Sequence, residues 1–382
     1  MDRRFACWSW RTGAYSLALS LAIAAPSACG SQTGRASSSP PSFADPRSYE
    51  TECSPESVAI GDLNGDHKAE LAAACPEHPQ VDNVSVLANE GDGRFRATVN
   101  YTSGRGATSL AIGDLDGDAN PDLATANRYA NSVSVLLDKG AGSFQDKVDY
   151  RVRGSSAVAI GDLNGDSKPD LVAAGGNTVS VLMKTGDGSF QPEASYGTGR
   201  GPTSVAIGDL NGDGRPDLAT ANLSASTVSV LLNKGDGRFE AKVDYATGDG
   251  AQSIAIGDLN GDPRPDLATA NLGANTVSVL LNRGNGKFAA KRDYPGRYPY
   301  SVAIGDLNGD DAADLATANL EEPSTVSVFL NKGDGSFREK LEFATRPWAA
   351  SVAIGDVNGD DRPDVVTAGL YGASVLMNTS RR

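Results

Sequence analysis

Histidine is scarce in this chain, and the motifs on which hydrolytic enzymes usually depend are missing. The 382 residues include only two histidines, His67 and His78. Glu77 and His78 form one acid–histidine pair, but no nucleophile stands beside it and no nucleophile elbow occurs in the sequence. These absences argue against a catalytic site of the acid–base or nucleophilic type.

Long apolar runs and an excess of positive charge are also missing. No stretch after residue 28 approaches the roughly 20 apolar residues that span a bilayer as a helix. The chain has 34 Lys and Arg against 48 Asp and Glu, which gives a formal net charge of −14. A nucleic-acid-binding surface needs a basic footprint, so the composition argues against that class of protein.

The N-terminal residues 1–28 have the pattern of an export signal peptide. Three arginines, Arg3, Arg4 and Arg11, precede an apolar run over 14–25 that is too short to be a membrane span. We therefore expect the remaining chain to act outside the cytoplasm, either secreted or at the surface of the cell envelope.

Cys29 follows small residues, as in a bacterial lipoprotein cleavage box in which the cysteine is lipidated. Pro26 stands where that box usually has Leu, so lipidation and plain secretion are both open. Residues 29–42 are rich in Gly, Ser and Pro, which predicts a flexible tether. Because Cys7 leaves with the signal, Cys53 and Cys75 are the pair that remains in the exported domain.

A motif of the form Ile-Gly-Asp-Leu-Asn-Gly-Asp, with small variations, occurs seven times. Its copies begin at Ile60, Ile112, Ile160, Ile207, Ile256, Ile304 and Ile354. The spacings are 52, 48, 47, 49, 48 and 50 residues. A nearly constant period of this length is typical of a propeller or another repeat array rather than of unrelated domains.

Each repeat predicts four short strands and no helix. In the fourth repeat these strands are expected at 204–210, 217–222, 227–233 and 239–245. Val, Ile, Leu and Thr are frequent in the first three, and a Lys-Gly-Asp-Gly turn separates the last two. Four strands form one propeller blade, so the sequence predicts an all-β fold, a seven-bladed β-propeller over 43–378.

A second repeat consists of paired aromatic residues, each Phe being followed six residues later by Tyr or Phe. The pairs are Phe43/Tyr49, Phe95/Tyr101, Phe144/Tyr150, Phe190/Tyr196, Phe239/Tyr245, Phe288/Tyr294 and Phe337/Phe343. An even separation places both rings on one face of a strand, and we expect them to pack between blades. The first pair precedes the first motif, and the last repeat ends after its third strand. We therefore expect 43–50 to pair with 373–378 and close the ring, leaving 379–382 as a tail.

Antiparallel strands sort the loops between two faces of the propeller. The loops that join strands one and two lie with those that join strands three and four, on what we term the acidic face. The other loops, including those between blades, form the opposite face. Cys53 and Cys75 both fall on the opposite face, which predicts a disulfide between them; two buried or free thiols are the alternative.

The loops between strands one and two, termed the acidic loops, share oxygen donors at positions one, three, five and nine. Position seven would contribute its backbone carbonyl. The candidate metal ligands are Asp62, Asn64, Asp66, Lys68 and Glu70; Asp114, Asp116, Asp118, Asn120 and Asp122; Asp162, Asn164, Asp166, Lys168 and Asp170; Asp209, Asn211, Asp213, Arg215 and Asp217; Asp258, Asn260, Asp262, Arg264 and Asp266; Asp306, Asn308, Asp310, Ala312 and Asp314; Asp356, Asn358, Asp360, Arg362 and Asp364.

Alternating oxygen donors in a tight turn suit a hard cation that takes six to eight oxygens, as Ca²⁺ does. Hydrogen-bonded Asx turns are the alternative, but they account for only one or two aspartates of a loop. Without a cation, the clustered carboxylates would raise one another's pKa. Mg²⁺ is disfavoured because it retains its waters. We therefore expect up to seven structural Ca²⁺ ions, which would also neutralise most of the negative charge.

The sequence DLNGDGRPDLATAN, residues 209–222, and its counterparts resemble FG-GAP/VCBS repeats. They are similar to the repeats of the seven-bladed propeller of integrin α chains, although the literal Phe-Gly and Gly-Ala-Pro tags are absent. The resemblance implies that calcium stiffens one face and that ligands dock on the other. It also implies Gly after the third ligand. Only Gly214 keeps that residue, so His67 and Pro263 predict weaker sites in blades one and five.

The inter-blade loops on the opposite face differ most between repeats. Variable loops on a rigid scaffold are where binding residues usually lie. The candidate ligand residues are Tyr298, Tyr300 and Trp348 with Arg297 and Arg346. Such rings could stack on a sugar or anchor a protein; the alternative is that they plug the channel mouth or cover neighbouring blades.

Two functions follow from these features. The first is an exported, calcium-stabilised, non-catalytic module for adhesion or ligand binding, with an extracellular protein or glycan as its partner. We expect that module to be a monomer that contacts a membrane only through a lipid anchor. The alternative is a secreted polysaccharide lyase or hydrolase on the same scaffold.

Overall fold

The computed structural model describes residues 39–76, 83–96, 98–186, 188–191 and 194–380. Within these ranges the chain is built of β-strands, and no helix is long and apolar enough to cross a membrane. The expected signal over 1–28, Cys29 and the Glu77–His78 pair lie outside the described residues.

The strands are labelled in chain order. They are β1 Arg47–Glu50, β2 Ser57–Gly61, β3 Glu70–Cys75, β4 Asn83–Leu87, β5 Val99–Thr102, β6 Ala107–Gly113, β7 Asp122–Asn127, β8 Ser132–Leu136, β9 Val148–Arg151, β10 Ala157–Gly161, β11 Asp170–Gly175, β12 Thr178–Leu182, β13 Ala194–Gly197, β14 Pro202–Gly208, β15 Asp217–Asn222, β16 Thr227–Leu231, β17 Val243–Ala246, β18 Ala251–Gly257, β19 Asp266–Asn271, β20 Thr276–Leu280, β21 Arg292–Pro295, β22 Pro299–Gly305, β23 Asp314–Asn319, β24 Thr325–Phe329, β25 Leu341–Ala344, β26 Ser351–Gly355, β27 Asp364–Gly369 and β28 Gly372–Leu376.

These strands form seven four-stranded antiparallel sheets, which are the blades of a β-propeller. Six blades use four consecutive strands, whereas the seventh has the order β26-β27-β28-β1. Tyr49 of β1 pairs with Ala373 of β28, and Phe43 bridges to Asn378. The predicted fold and the closure of the ring by the N-terminal strand are therefore confirmed.

The second and third strands of each blade are buried on both sides, because the adjoining blades cover them. In blade four, Leu218, Ala219 and Val228 have no exposed surface. The fourth strand, β17, lies at the rim and is largely exposed. This burial explains why the inner strands are almost continuous apolar runs while the outer strands carry Asp, Lys and Arg.

Aromatic rings join every pair of adjacent blades. The Tyr or Phe that ends one fourth strand meets the Phe of the next blade edge to face, with ring centroids 4.8–5.4 Å apart. Tyr245, for example, contacts Phe288, and its hydroxyl donates to the carbonyl of Gly286 at 3.0 Å. The predicted packing of these rings between blades is confirmed.

A ring of serines joins the innermost strands. The Oγ of each serine accepts the backbone N–H of the next blade at 3.2–3.3 Å. The serines are Ser57, Ser109, Ser204, Ser253, Ser301 and Ser351. Blade three has Ala157 at this position, so its junction with blade four lacks the bond. The bond from Val58 to Ser351 joins blade one to blade seven and thus contributes to closure.

A disulfide joins Cys53 to Cys75 across the opposite face, with Cα atoms 5.8 Å apart. It ties the loop that enters blade one to the end of β3. In blade four the position of Cys75 is held by Asn222, whose Nδ2 donates to the hydroxyl of Ser229 at 2.9 Å. The disulfide therefore replaces a buried polar contact that other blades use to hold the same strand end.

Candidate metal and ligand sites

Each acidic loop is folded by its own side chains. In blade four, Oδ1 of Asp209 accepts the N–H of Gly212 at 2.7 Å, and Oδ1 of Asn211 accepts that of Asp213 at 2.8 Å. Oδ1 of Asp213 in turn accepts the N–H of Arg215 at 3.0 Å. The Asx turns considered as an alternative to metal binding are thus present. Because a carboxylate oxygen has more than one lone pair, these bonds do not prevent the same atoms from binding a cation.

The backbone of every acidic loop turns left-handed twice. Position four is always glycine, with φ between 75° and 87°. Position six is glycine only at Gly214; the other residues adopt the same region, from Pro263 at φ 32° to Ala119 at φ 71°. The N–H of position six donates to Oδ2 of position one at 2.7–2.9 Å in six loops. Pro263 has no N–H, so the blade-five loop lacks this bond.

The acid at position nine is buried and holds the loop to its blade. Asp217 is fully buried; its Oδ2 accepts the N–H of Leu210 at 2.9 Å and its Oδ1 that of Asn233 at 2.7 Å. The same pair of bonds recurs in every blade, with Glu70 replacing Asp in blade one. This carboxylate therefore links the start of the acidic loop to the end of strand three.

Burial raises the pKa of the position-nine acids, while the two backbone donors oppose that rise. The pKa is raised to about 7 at Asp122, Asp314 and Asp364. It is raised to about 6 at Asp170, Asp217 and Asp266. In blade four, the acids at positions one and five, Asp209 and Asp213, add to the rise by repulsion. A bound cation would remove that repulsion, so the electrostatics of the loop fit a metal.

Carboxylates converge most closely in blades one and two. Asp62, Asp66 and Glu70 each offer an oxygen within 4.8 Å of the others, and so do Asp114, Asp116 and Asp122. These clusters can hold a metal ion, and their oxygen-only donor set suits a hard cation. Blade one was expected to be among the weaker sites because of His67, yet it is one of the two loops in which the acids converge.

Position seven carries a cation in five loops, and the sequence had suggested only a role for its backbone carbonyl. Its side chain instead forms an ion pair with the acid at position five. The pairs are Lys68–Asp66, Lys168–Asp166, Arg215–Asp213, Arg264–Asp262 and Arg362–Asp360. These five loops thus hold a cationic side chain beside one of their candidate ligands.

An asparagine after the third strand joins each acidic loop to its neighbour in most blades. Nδ2 of Asn233 donates to the carbonyl of Leu163 in the preceding loop and to that of Pro216 in its own, both at 2.8 Å. Asn89, Asn282, Asn331 and Asn378 do the same. Asp138 in blade two and Lys184 in blade three replace this asparagine. Among the described residues, Oδ1 of Asp138 and Nζ of Lys184 are buried without a hydrogen-bond partner.

The opposite face presents three exposed aromatic side chains in blades six and seven. Trp348 is 63% exposed, Tyr371 61% and Tyr298 48%. Tyr298 and Trp348 have φ of 47° and 58°, and the equivalent residues of blades two to five are glycines with φ of 66–76°. Bulky side chains are uncommon in this region because it costs about 1–2 kcal/mol per residue. Tyr371 was not among the sequence candidates; Asn177 and Asn275 hold its position in blades three and five.

Two of the predicted ligand residues do not belong to this exposed surface. Tyr300 points into the central channel, where it lines a cavity of about 100 Å³ with one or more residues from every blade. Burial raises the pKa of its hydroxyl to about 12, with Glu56 adding to the rise and Arg128 opposing it. Arg297 is held by Glu321 and Glu342, at 3.0 and 3.1 Å. For Tyr300, the alternative that the ring plugs the channel describes the structure better than a role in ligand binding.

The fold defines a seven-bladed β-propeller with an acidic loop in every blade, and comparison with known families agrees. The sequence profile of the FG-GAP-like repeat matches six overlapping segments, 62–125, 114–173, 162–220, 209–269, 258–317 and 306–367. The chain therefore belongs to the FG-GAP-like repeat family. No curated protein sequence matches this chain.

Solved structures show the same architecture at low sequence identity. BBS1N, crystallised in complex with ARL6DN, superposes with a TM-score of 0.62 and 12% identity, covering 89% of this chain and 97% of that one. A lectin from Agrocybe aegerita that recognises non-reducing terminal N-acetylglucosamine gives 0.54 and 19%, covering 86% of each chain. A putative 6-phosphogluconolactonase from Bacteroides fragilis gives 0.57 and 16%, covering 78% and 86%. At these identities the likeness concerns the fold alone.

Proposed function

We propose that this protein is an exported, calcium-stabilised, non-catalytic propeller that binds an extracellular protein or glycan. The observation that carries the proposal is the acidic loop, which places oxygen donors at the same positions in all seven blades. Side chains at positions one, three, five and nine would hold Ca²⁺ together with the position-seven carbonyl. The signal-like residues 1–28 and the Cys29 motif support export.

Calcium would supply the positive charge that the clustered carboxylates need in order to stay close together. Position nine already joins the loop to strands one and three through its two backbone bonds. An ion that also bound positions one, three and five would cross-link the remainder of the loop to that point. The acidic face would thereby be stiffened, which leaves the opposite face for recognition.

The binding surface that we propose consists of Tyr298, Trp348 and Tyr371. Their backbones are braced by neighbouring loops: the N–H of Trp348 donates to Ser324 at 2.9 Å, and that of Tyr298 to Asn275. The rings are therefore exposed on fixed supports, a feature of aromatic anchors in binding sites. Backbone strain of this kind tends to occur at functional positions.

The calcium proposal is tested by thermal unfolding with and without EDTA. We expect chelation to lower the melting temperature markedly, because a ligand at about 100 times its Kd adds roughly 2.7 kcal/mol per site. Magnesium at the same concentration should restore little of the loss. An unchanged transition in EDTA would refute structural calcium.

The binding proposal is tested on a glycan array and against extracellular proteins, with the triple variant Tyr298→Ala/Trp348→Ala/Tyr371→Ala. The variant should lose binding and keep its calcium-dependent melting temperature. Tyr129→Ala is the matched control, because Tyr129 is 51% exposed on the same face but lies in blade two. Turnover of an acidic polysaccharide by the wild type would favour the enzymatic alternative instead.

A further inference from the structure

Lys184 occupies a position at which most blades have asparagine, directly after the third strand. Its backbone keeps the common role, donating to Oδ1 of Asp170 at 2.8 Å. Its side chain cannot play the part of the asparagine amide, because four methylenes carry the ammonium group further from the backbone. The residue is only 7% exposed, and Nζ has no hydrogen-bond partner among the described residues.

The ammonium group of Lys184 lies 5.9 Å from the centroid of the Phe190 ring and interacts electrostatically with the acidic loop of blade two. At the equivalent position of blade four, Asn233 donates to the carbonyl of Leu163 in the acidic loop of blade three. Burial lowers the pKa of the Lys184 ammonium; the charges of Asp116, Asp122 and Asp114 oppose that fall, and the charge of Lys168 adds to it. These three acids are the carboxylates whose oxygens lie within 4.8 Å of one another. A buried ammonium without charge compensation would cost several kcal/mol, so its location beside this cluster has a physical reason.

The blade-two loop differs from the others in two ways that complement Lys184. Position three is Asp116, whereas the other six loops have Asn there, so this loop has one more carboxylate at its candidate ligand positions. Position seven is Asn120, so the loop lacks the cation that pairs with position five in five other loops. The lysine of the next blade therefore supplies a positive charge to a loop that has an extra carboxylate at position three and no cation at position seven.

We propose that Lys184 is a resident cation of the blade-two acidic loop and competes there with Ca²⁺. The inference rests on the proposed calcium binding of these loops. With the ammonium in place, the carboxylates of Asp114, Asp116 and Asp122 are partly neutralised without metal. This loop then keeps its shape in metal-free protein and holds calcium more weakly than it would without Lys184. It also links blade three electrostatically to the metal loop of blade two.

Two opposite effects of Lys184→Met distinguish this role from simple packing. In EDTA the variant should melt at a lower temperature, because the carboxylates lose their counter-ion. The increase in melting temperature on adding calcium should be larger than in the wild type, because the competitor has gone. Asn233→Met, at the equivalent position of blade four, is the control and should lose stability equally with and without calcium.

The site itself is resolved by soaking crystals at graded calcium concentrations and refining the occupancy of each loop. Wild-type protein should fill the blade-two loop at the highest concentration, and Lys184→Met should fill it at about tenfold lower calcium. That shift corresponds to about 1.4 kcal/mol. If the other loops fill and the blade-two loop responds identically in both proteins, the role of Lys184 is wrong while calcium binding stands. If no loop takes calcium, both proposals fail.

A double-mutant cycle between Lys184→Met and Asp116→Asn, measured in EDTA, provides a test that needs no metal. Asp116→Asn should recover part of the stability that Lys184→Met loses, since it removes the carboxylate that the lysine compensates. Additive effects of the two substitutions would show that the side chains do not interact and would overturn the proposal. Lys184→Asn, which restores the common residue, should fold even if the methionine variant does not.

Discussion

Asn233 of blade four donates a hydrogen bond from Nδ2 to the carbonyl oxygen of Leu163 in blade three, 70 residues earlier in the chain. The same Nδ2 also donates to the carbonyl oxygen of Pro216, which lies in the acidic loop of its own blade. Each such asparagine joins two neighbouring acidic loops. The acidic face is therefore a hydrogen-bonded ring whose weakest points lie where asparagine is missing.

Asp138→Asn should stabilise the junction between blades one and two. Oδ1 of Asp138 is buried without a partner in the described structure, and an amide there would donate to neighbouring carbonyls as Asn233 does. We expect a gain of about 1–2 kcal/mol in the free energy of unfolding, measured with denaturant in calcium. The reverse change, Asn233→Asp, should cost a similar amount. A loss of stability in Asp138→Asn would contradict this account.

Ala157→Ser should complete the ring of serines on the inner strands. The serine hydroxyl would accept the backbone N–H of Val205, as Ser204 accepts that of Ile254 at 3.3 Å. The gain should be about 0.5–1.5 kcal/mol, the usual net worth of one hydrogen bond. Ser204→Ala is the matched control and should lose a comparable amount. If both substitutions leave the unfolding midpoint unchanged, these bonds do not contribute to cohesion between blades.

Pro263→Gly should improve the acidic loop of blade five. Proline holds position six at φ 32° and cannot donate to Asp258, whereas glycine tolerates a positive φ and supplies the N–H. Relief of the backbone strain is worth about 1 kcal/mol or more, although the greater freedom of glycine in the unfolded chain offsets part of it. The melting temperature and its calcium increment should both rise. Gly214→Pro in blade four should produce the opposite change.

Metal-free protein should become less stable as the pH rises from about 4 to 7. The position-nine acids have folded-state pKa values of about 6 to 7 at Asp217 and Asp314, above the unfolded value of about 3.9. The folded state therefore binds more protons than the unfolded state in this window, and its advantage is lost as those protons leave.

Calcium should reverse this trend, because it competes with protons for the same carboxylates. Calorimetry in EDTA should show a lower melting temperature at pH 8 than at pH 5, and calcium should raise the melting temperature more at pH 8. Asp217→Asn removes one titrating group and should flatten the metal-free profile. A melting temperature that rises with pH in EDTA would show that the pKa values are not elevated.

The repeats made much of the fold predictable. The seven motif copies and the Phe/Tyr pairs placed the blades and the closing strand, because burial against two neighbours imposes the same apolar pattern on every copy. Aligning the repeats also reveals exceptions: Ala157 replaces a serine that the other blades share, and Asp138 and Lys184 replace a shared asparagine. The hydrogen bonds that these shared residues form could not be derived from the sequence, because their partners lie in another blade.

The ligand face was predicted less well. Tyr298 and Tyr300 are two residues apart, yet one is exposed and the other lines the channel. The direction of each ring depends on the left-handed turn at Tyr298 and on the strand that begins at Pro299. Tyr371 lies in a turn within blade seven, outside the inter-blade loops, so the variability of those loops does not indicate it.

The number of blades, the closure of the ring and the spacing of the oxygen donors can be read from the sequence, because each follows from a local period of strands and turns. Which charges meet depends on the folded arrangement of the blades. Arg297 is paired with Glu321 and Glu342, and Lys184 lies beside the acids of blade two. Such contacts form when the ring closes and side chains from different blades are buried together, and no spacing along the chain encodes them.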